Sequence, residues 1–497
     1  MLKSISALLN EFRLKILSIP IASAVLYIER SIWYSARRLP VPKGRAGLRA
    51  PEASALGDHS DDSSCMRRES ATDGNVAGRG GSRTAPLGIS GMGFHTLDDF
   101  DVRGRRVLLR IDINSPVNER TLRLEDGSKI KSSIATVREL LDRGARVAIL
   151  AHQGRLGDYD YIPLNEHATF LSQYLGRKVK YVDDLFGKHA FNAIDGLGDG
   201  ECILLKNVRF FPDEQAKKSP EEHAGSQLVK ELAPKFDLFV NDAFASSHRS
   251  HASLVGFTVA LPSAAGRLME REVKTLTKVF QNPARPSTFI FGGTKFVDAL
   301  PVIEKLAERA IVDGIIIAGL AGYTYLWILG KDIGSKTEAL AKKDVTDETI
   351  ARAKKLLSLM GSKIHLPVDA AVNIDGKRVE FPIDEVPADA AIMDIGSKSI
   401  EKFNKIVSVS STIFLSGPPG VFEKEEFSKG TSELFKAITS SEAFSVIGGG
   451  HSCAAANKLG LLDKVSYVST GGGALERLML GKEMPVVEAL KASAKRF

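Results

Sequence analysis

The sequence predicts an α/β fold with two doubly wound, Rossmann-like parallel-sheet domains that face each other across a cleft and are joined by a long helix and hinge. Two observations support this prediction. Short apolar runs alternate with helical stretches, and an unbroken apolar run is typical of a strand buried on both faces of a parallel sheet. The series of runs also stops and restarts, with one long helical stretch between its halves.

The predicted strands are the apolar runs themselves. In the first half they are residues 107–111, 147–150, 203–205 and 238–240. In the second half they are residues 288–291, 314–318, 364–367, 412–415, 444–447 and 465–468. The stretch between the two series, 264–281, has apolar residues at helical spacing, and Pro283 and Pro286 then stop the helix.

These runs predict five parts of the chain. They are an extension (1–91), an N-terminal domain (92–263), an interdomain helix (264–282), a C-terminal domain (283–475) and a C-terminal segment (476–497) that returns to the N-terminal domain. Residues 35–91 are rich in Arg, Gly, Ser, Ala and Pro, so we expect disorder there. The first 34 residues have features of a transit peptide, but Glu11 and Glu29 count against one. We prefer a start of translation at Met92, because a domain begins at Phe94.

Charge and composition exclude several classes of protein. Residues 1–91 carry 13 Lys and Arg against 8 Asp and Glu, which is +5 of the net +7, so the remainder is nearly neutral and gives no case for nucleic-acid binding. The longest uncharged apolar stretch has 13 residues, 16–28, fewer than the roughly 20 that a membrane span needs. Three distant cysteines (Cys65, Cys202 and Cys453) favour a reducing compartment, and hence the cytoplasm.

Polar side chains follow four predicted strands of the first half. Asp112 and Asn114 follow the first strand, His152 and Arg155 the second, Arg209 the third and Arg249 the fourth. Because parallel strands deliver their carboxyl ends to one edge, we expect an anion pocket in which guanidinium groups bind phosphate or carboxylate. The alternative for a single arginine is a solvated surface residue. A metal site made of His152, His248 and His251 is a further alternative, but their spacing does not favour it.

In the second half, glycines follow the predicted strands where the first half has polar side chains. They occur in the stretches 292–295, 319–322, 417–423, 448–451 and 469–473. Glycine lets backbone N–H groups approach an anion closely, and a following helix N-terminus favours negative charge. No stretch matches a Walker A or G-x-G-x-x-G fingerprint, but five such turns in one half favour a nucleotide.

Seven sequence motifs of the chain resemble those of a known protein family. LLRIDINSPV, AHQGR, LLKNVRFF, VNDAFASSHRSHASLVGF, GGTKFVDAL, GPPGVFE and STGGGALE stand in this order, and from about residue 94 to 490 the chain resembles phosphoglycerate kinase, in particular its archaeal branch. The resemblance implies a transferase of glycolysis and gluconeogenesis, ATP:3-phosphoglycerate 1-phosphotransferase, which uses Mg-ATP or Mg-ADP. It also implies a cytoplasmic monomer, with a dimer as the alternative.

The resemblance assigns roles residue by residue. Residues implied to bind 3-phosphoglycerate, in the N-terminal domain, are Asp112, Asn114, Lys129, His152, Arg155, Arg209 and Arg249. Those implied to act in phosphoryl transfer are Lys129, Lys295, Gly472 and Gly473. Those implied to bind the nucleotide, in the C-terminal domain, are Gly292, Gly293, Lys295, Gly319, Gly417, Pro418, Glu423, Gly449, Gly450, His451, Ser469 and Thr470. No general base is needed, because a carboxylate nucleophile is already ionised at neutral pH.

Four positions depart from the family pattern. Lys129 replaces an arginine, and Ala299 stands where bacterial and eukaryotic members have a lysine. Ser416 replaces an asparagine, and His451 stands where those members have an aspartate. Because Mg²⁺ prefers oxygen ligands, we predict no protein ligand to the metal. Two alternatives stay open: a catalytically weak or silent paralogue that binds nucleotide or phospho-acid, and a nicotinamide-dependent oxidoreductase, for which the fingerprint is missing.

Overall fold

The computed structural model describes residues 92–497, which lie within one structural unit, so the predicted extension 1–91 lies outside the described residues. Two six-stranded sheets form the framework, and every strand pair within them is parallel. The prediction of two parallel-sheet α/β domains is therefore confirmed.

The N-terminal sheet has the strand order β3-β4-β2-β1-β5-β6. Its strands are β1 (Arg106–Arg110), β2 (Arg146–Leu150), β3 (Val179–Val182), β4 (Cys202–Leu205), β5 (Leu238–Asn241) and β6 (Ser263–Ala265). Its helices are α1 (Ser128–Ser132), α2 (Ile134–Asp142), α3 (Asn165–Leu175), α4 (Lys188–Asp195), α5 (Pro220–Ala224), α6 (Gln227–Leu232) and α7 (Phe257–Ala260). Strands β4 and β5 are buried at every residue, and β1 and β2 at all but the first.

The C-terminal sheet has the order β15-β14-β13-β7-β8-β9. Its strands are β7 (Ser287–Phe291), β8 (Gly314–Ile317), β9 (Ile364–His365), β13 (Thr412–Ser416), β14 (Phe444–Gly448) and β15 (Tyr467–Val468). Its helices are α9 (Phe296–Glu308), α10 (Gly319–Ile328), α11 (Ser335–Ala341), α12 (Asp347–Met360), α13 (Ser397–Ser408), α14 (Lys429–Ser440), α15 (Gly450–Lys458) and α16 (Gly473–Met479).

A small antiparallel sheet inside the C-terminal domain was not predicted. Its strand order is β11-β10-β12, and its strands are β10 (Asp369–Ile374), β11 (Lys377–Pro382) and β12 (Ala391–Ile395). No residue of β11 is fully buried, so the strand has no continuous apolar run to reveal it.

The interdomain helix, α8 (Arg267–Gln281), begins three residues later than the predicted 264. Ala264 and Ala265 instead end β6, where they pair with β5 and complete the edge of the parallel sheet. Asp242 caps the helix start, since its Oδ1 accepts the backbone N–H groups of Leu268 at 2.9 Å and Met269 at 3.0 Å. This carboxylate fixes the helix to the carboxyl end of β5.

The C-terminal helix α17 (Pro485–Arg496) packs on the N-terminal domain. The N–H of Val486 donates to the carbonyl of Ser247 at 3.2 Å, and Arg496 Nη1 donates to the carbonyl of Val259 at 3.0 Å. One apolar cluster includes Phe244 of the first domain, α8, and Leu475 of the second, so both domains pack on the same helix. Among residues 92–497, no helix combines the length and the apolar character needed to cross a membrane.

Candidate active site

All seven side chains predicted to bind the acid substrate line one cavity of about 450 Å³. They are Asp112, Asn114, Lys129, His152, Arg155, Arg209 and Arg249. Most of them follow the carboxyl ends of β1, β2, β4 and β5, where doubly wound sheets bind their ligands. The turn of residues 470–473, which precedes α16, closes the cavity from the C-terminal domain.

Asp112 and Asn114 are fixed at the end of β1. Ser246 Oγ donates to Asp112 Oδ2 at 2.6 Å, and the N–H of Asn114 donates to Asp112 Oδ1 at 3.2 Å. Burial acts to raise the pKa of Asp112, but the neighbouring His152, the charges of Lys129 and Arg110 and the hydrogen bond from Ser246 together hold that pKa below its usual range. Asn114 Oδ1 accepts the N–H of Gly154 at 2.9 Å, so its amide NH₂ is the group left for a ligand.

His152 presents a neutral ring to the cavity. Burial, together with the charges of Arg110, Arg209 and Arg249, holds its pKa well below the usual value. Arg110 Nη2 lies 3.0 Å from His152 Nδ1, and because arginine can only donate, Nδ1 is the acceptor. The ring proton is therefore on Nε2, where it can serve as a donor to an anionic ligand.

The sequence did not single out Arg110, which supports His152 from within β1. Arg110 is 1% exposed, and its Nε donates to Ser253 Oγ at 2.9 Å. Ser253 in turn donates its N–H and its hydroxyl to the carboxylate of Glu214, at 2.8 and 2.6 Å. Burial raises the pKa of Glu214 to about 7, although the charge of Arg110 opposes that rise.

The arginines concentrate positive charge at the cavity wall. Arg209 Nη1 donates to the carbonyl of Gly154, and the carbonyl of Arg209 accepts the hydroxyl of Tyr161 at 2.8 Å. Burial and the neighbouring charge of Arg249 lower the pKa of Arg209 to about 10, so it stays protonated at neutral pH. Such a cluster of cations gains stability when it binds an anion.

The alternative metal site at His152, His248 and His251 does not match this geometry. His152 accepts from Arg110, and His248 Nε2 lies 3.1 Å from Arg249 Nε, which donates to it. Burial lowers the pKa of His251 to about 3, and its Nδ1 lies 3.9 Å from a Glu214 oxygen. Among residues 92–497, no group of three or more His, Cys, Asp or Glu could hold a metal ion.

A buried glutamate of the interdomain helix holds the 470–473 turn, and the sequence did not reveal it. Glu272 is 0% exposed. Its carboxylate accepts the Ser469 hydroxyl at 2.9 Å, the Thr470 N–H at 2.6 Å and the Thr470 hydroxyl at 2.8 Å. Burial raises the pKa of Glu272. The predicted nucleotide residues Ser469 and Thr470 thus bind α8, and Thr470 also lines the cavity.

The glycine turns of the C-terminal sheet pack against one another. A Cβ on Gly292 would lie 2.6 Å from the carbonyl oxygen of Pro418, and a Cβ on Gly319 would lie 2.7 Å from the nitrogen of Gly293. The N–H of Gly293 donates to the Pro418 carbonyl at 2.8 Å, and that of Gly417 to Ser452 Oγ at 2.7 Å. These glycines are therefore required by the contact between neighbouring loops.

Other residues predicted for the nucleotide do not line the 450 Å³ cavity. Lys295 is 80% exposed, and its Nζ lies 3.5 Å from Asp298 Oδ2. Glu423 is exposed after the 417–420 turn, and His451 is exposed in the first turn of α15, next to Gly449 and Gly450. The structure thus separates two sets: an assembled pocket in the N-terminal domain and a row of glycine turns in the C-terminal domain.

Comparison with known proteins decides the family, because the phosphoglycerate kinase profile matches residues 97–482. The chain belongs to the phosphoglycerate kinase family. The phosphoglycerate kinase of Methanothermus fervidus is 44% identical over 403 residues, which are 81% of this chain and 98% of that protein. The phosphoglycerate kinase of Methanopyrus kandleri is 45% identical over 395 residues, 80% of this chain and 97% of that protein.

Two solved phosphoglycerate kinases share the architecture. The crystal structure of the enzyme from Pyrococcus horikoshii OT3 matches with a TM-score of 0.75 and 38% identity, over 81% of this chain and all of that one. The structure of the Coxiella burnetii phosphoglycerate kinase gives a TM-score of 0.69 and 31% identity at the same coverage. The segment matched to the phosphoglycerate kinase profile contains both the cavity and the glycine turns.

Proposed function

We propose that the cavity of the N-terminal domain is the 3-phosphoglycerate site of a phosphoglycerate kinase. The chain carries the activity of its family, reversible phosphoryl transfer between ATP and the carboxylate of 3-phosphoglycerate, which gives ADP and 1,3-bisphosphoglycerate. The main support for the site is that seven side chains line a single cavity. The sequence had predicted all seven, either as polar groups that follow strands or from the family resemblance.

The cavity suits a phosphorylated acid in charge and in donor geometry. Lys129, Arg155, Arg209 and Arg249 supply cations around a substrate that carries a phosphate and a carboxylate. The Nε2 proton of His152 adds a neutral donor. Because Asp112 is ionised and already accepts from Ser246, we assign it to the orientation of hydroxyl or guanidinium groups rather than to proton transfer.

The proposed reaction needs positioning more than acid–base chemistry. The attacking carboxylate has an ordinary pKa of about 4 and is ionised at neutral pH, so no base has to remove a proton. What the residues must do is align the carboxylate with the phosphoryl group and neutralise the charge that spreads over its oxygens. Lys129 and the turn with Gly472 and Gly473 lie at the same cavity and are assigned that role.

We assign the nucleotide to the C-terminal glycine turns, with Lys295 at the transferring phosphoryl group and Glu423 at the ribose. Gly472 has φ of +46°, and a Cβ there would meet nothing within 4 Å, so its backbone is open to a phosphate. Mg²⁺ prefers carboxylate and water oxygens, and no cluster of protein ligands for it exists among the described residues. We therefore propose that the ion arrives on the nucleotide phosphates.

Transfer requires the two sets of residues to approach each other. Helix α8 belongs to the apolar cluster shared by both domains, and its Glu272 holds the 470–473 turn. We propose that closure about this helix brings the nucleotide to the acid and excludes water from the transferring group.

A coupled assay tests the function. Purified protein with Mg-ATP and 3-phosphoglycerate should form ADP, and Arg209→Ala should reduce kcat/KM by about a hundredfold, because a buried cation of the acid pocket is lost. Arg352→Ala is the matched control, since Arg352 pairs with Glu304 on the surface of the C-terminal domain. If the wild-type protein binds ATP but forms no ADP, the chain is instead the silent paralogue.

Finer assignments form part of the same proposal. The chain is assigned to the archaeal type of the family, supported by AHQGR and by His451 in place of an aspartate. A cytoplasmic location is supported by the cysteine usage, and both Cys202 and Cys453 are free thiols. Light scattering of the purified protein tests the proposed monomer, and a dimer would contradict it.

A further inference from the structure

A buried ion pair lies beneath one of the proposed nucleotide turns. Arg378 of β11 and Asp394 of β12 belong to the small antiparallel sheet, and Arg378 Nη1 lies 2.7 Å from Asp394 Oδ2. The side chain of Asp394 is 0% exposed and that of Arg378 is 12% exposed. Desolvation offsets much of the attraction within a buried charge pair, but removal of one partner is costly because it leaves the other charge buried and unpaired.

Asp394 supports the 417–423 turn directly. Its Oδ2 also accepts the N–H of Gly430 at 2.7 Å, and its Oδ1 accepts the N–H of Ile395 at 2.9 Å. Gly420 and Gly430 both pack on Asp394 Oδ1 so closely that neither has room for a Cβ. The carboxylate therefore forms part of the floor on which the turn lies.

The backbone around Asp394 reaches two of the proposed nucleotide turns. The N–H of Val421 donates to the carbonyl of Met393 at 2.8 Å, which ties the 417–423 turn to β12. The hydroxyl of Tyr323, in the helix that starts at Gly319, donates to the carbonyls of Asp394 and Asp369, each at 3.1 Å. A displacement of Asp394 would thus move both the 417–423 turn and the turn at Gly319.

Arg378 is the one cation in contact with the Asp394 carboxylate among residues 92–497. Arg378 also donates to Glu380 Oε1 at 3.0 Å and to the carbonyl of Ile395 at 2.7 Å. Glu380 and Asp394 both lie opposite Ala371 of β10, so the two carboxylates share Arg378. Glu380 also accepts the N–H of Ser397 at 2.8 Å and lies 3.8 Å from Lys429 Nζ. Burial raises the pKa of Asp394 to about 6, and the Gly430 N–H and the charge of Arg378 limit that rise.

We propose that Arg378 and Asp394 are positioning residues for the nucleotide: the pairing with Arg378 lets the ionised Asp394 carboxylate stay buried beneath the 417–423 turn and hold that turn in its binding conformation. The inference rests on the proposed function, because it takes that turn as part of the nucleotide site. Without Arg378, the carboxylate must either take up a proton or reach water by displacing the turn. The second outcome dominates at high pH, so nucleotide affinity becomes pH-dependent.

The test measures KM for ATP and for 3-phosphoglycerate, and the ATP Kd by calorimetry, at about pH 6 and about pH 8.5. Arg378→Ala should change the ATP constants by less than about twofold at the lower pH and raise them about tenfold at the higher one. KM for 3-phosphoglycerate should stay within about twofold of wild type at both. Arg378→Ala with Asp394→Asn should remove the pH dependence, since no buried charge is left unpaired. Arg378→Lys keeps the charge but not the planar fork that also reaches Glu380 and the Ile395 carbonyl, so it should show a smaller pH dependence than Arg378→Ala. Arg352→Ala is the control for loss of an exposed pair.

The inference is overturned if the Arg378→Ala effect is the same at both pH values, or if both substrates lose affinity equally. If Arg378→Ala does not fold, the inference is tested with Arg378→Lys and with the double variant Arg378→Ala/Asp394→Asn. An ATP Kd that rises with pH in the double variant overturns the inference. A wild-type protein that binds ATP without turnover refutes the proposed function alone, and the Kd series still tests the ion pair.

Discussion

Replacing Glu272 by alanine tests whether the interdomain helix sets the position of the 470–473 turn. The carboxylate accepts three hydrogen bonds from Ser469 and Thr470, and no part of its residue is exposed. The substitution removes all three bonds at once. It also leaves the Thr470 N–H, which lies in a partly buried position, without this acceptor.

The expected loss of stability is about 3 kcal/mol. Each hydrogen bond to a charged group contributes about 1.5–3 kcal/mol, but relief of the burial that raises the pKa of Glu272 offsets part of that sum. Unfolding about 400 residues at about 2.1 cal/mol/K per residue gives an entropy near 0.8 kcal/mol/K, so Tm should fall by about 4 °C. Glu272→Gln should cost only about 1 kcal/mol, because an amide can accept from Thr470 and donate to the Ser469 hydroxyl.

Calorimetric melting and steady-state kinetics on the same preparations provide the assay. Because the turn lines the acid cavity, Glu272→Ala should lower kcat by about tenfold while KM for ATP changes by less than about twofold. A Tm within about 1 °C of wild type would show that these bonds do not hold the turn. Equal kinetic losses in the Ala and Gln variants would mean that charge, and not hydrogen bonding, is what matters.

Three further outcomes are expected. Burial raises the pKa of Glu214 in the folded protein from 4.5 to about 7, so its contribution to stability is complete below pH 4.5 and is lost as pH rises through 7. The loss is about 3 kcal/mol in the free energy of unfolding. Urea unfolding between these pH values should therefore show a smaller decline of that free energy with pH for Glu214→Gln than for wild type, and equal declines would contradict this. Arg249→Ala should raise KM for 3-phosphoglycerate by about tenfold or more and leave KM for ATP unchanged; an equal rise in both would argue against a pocket specific for the acid. His451→Ala should leave the Mg²⁺ concentration for half-maximal rate within about twofold, and a tenfold increase would make His451 a metal ligand.

The parallel framework could be predicted because its central strands are buried on both faces. The run predicted at 412–415 corresponds to Thr412–Ser416, and that at 147–150 to Arg146–Leu150. The two edge strands of the N-terminal sheet gave weaker signals. In β3, Lys180 is exposed between the buried Val179 and Val182. Strand β6 is only three residues long, and the predicted interdomain helix included two of them, Ala264 and Ala265.

The acid pocket could be predicted for the same reason, since its side chains follow those central strands. The residues that support it could not. Arg110 contacts Ser253, 143 positions away, and Glu272 contacts Ser469, 197 positions away. The local sequence around a charged residue does not show whether its side chain is buried or exposed to solvent. Burial of such a side chain is tolerated only when a partner satisfies it, and here that partner is distant in the sequence.

Two runs of three glycines, 448–450 and 471–473, show the same limit of sequence reasoning. In the sequence each follows a strand and precedes a helix, and the resemblance alone assigns Gly472 and Gly473 of the second triplet to phosphoryl transfer. In the structure the first glycine of each is needed for packing: Gly448 meets Leu475, and a Cβ on Gly471 would lie 2.9 Å from Phe244 Cε1. At Gly450 and Gly472, a Cβ would meet nothing within 4 Å. Packing therefore requires a glycine at two of these six positions, whereas Gly450 and Gly472 leave open space beside the backbone that a phosphate could occupy. Of these two, Gly472 is the one that lines the acid cavity, so transfer to the acid is expected at the second triplet and not the first.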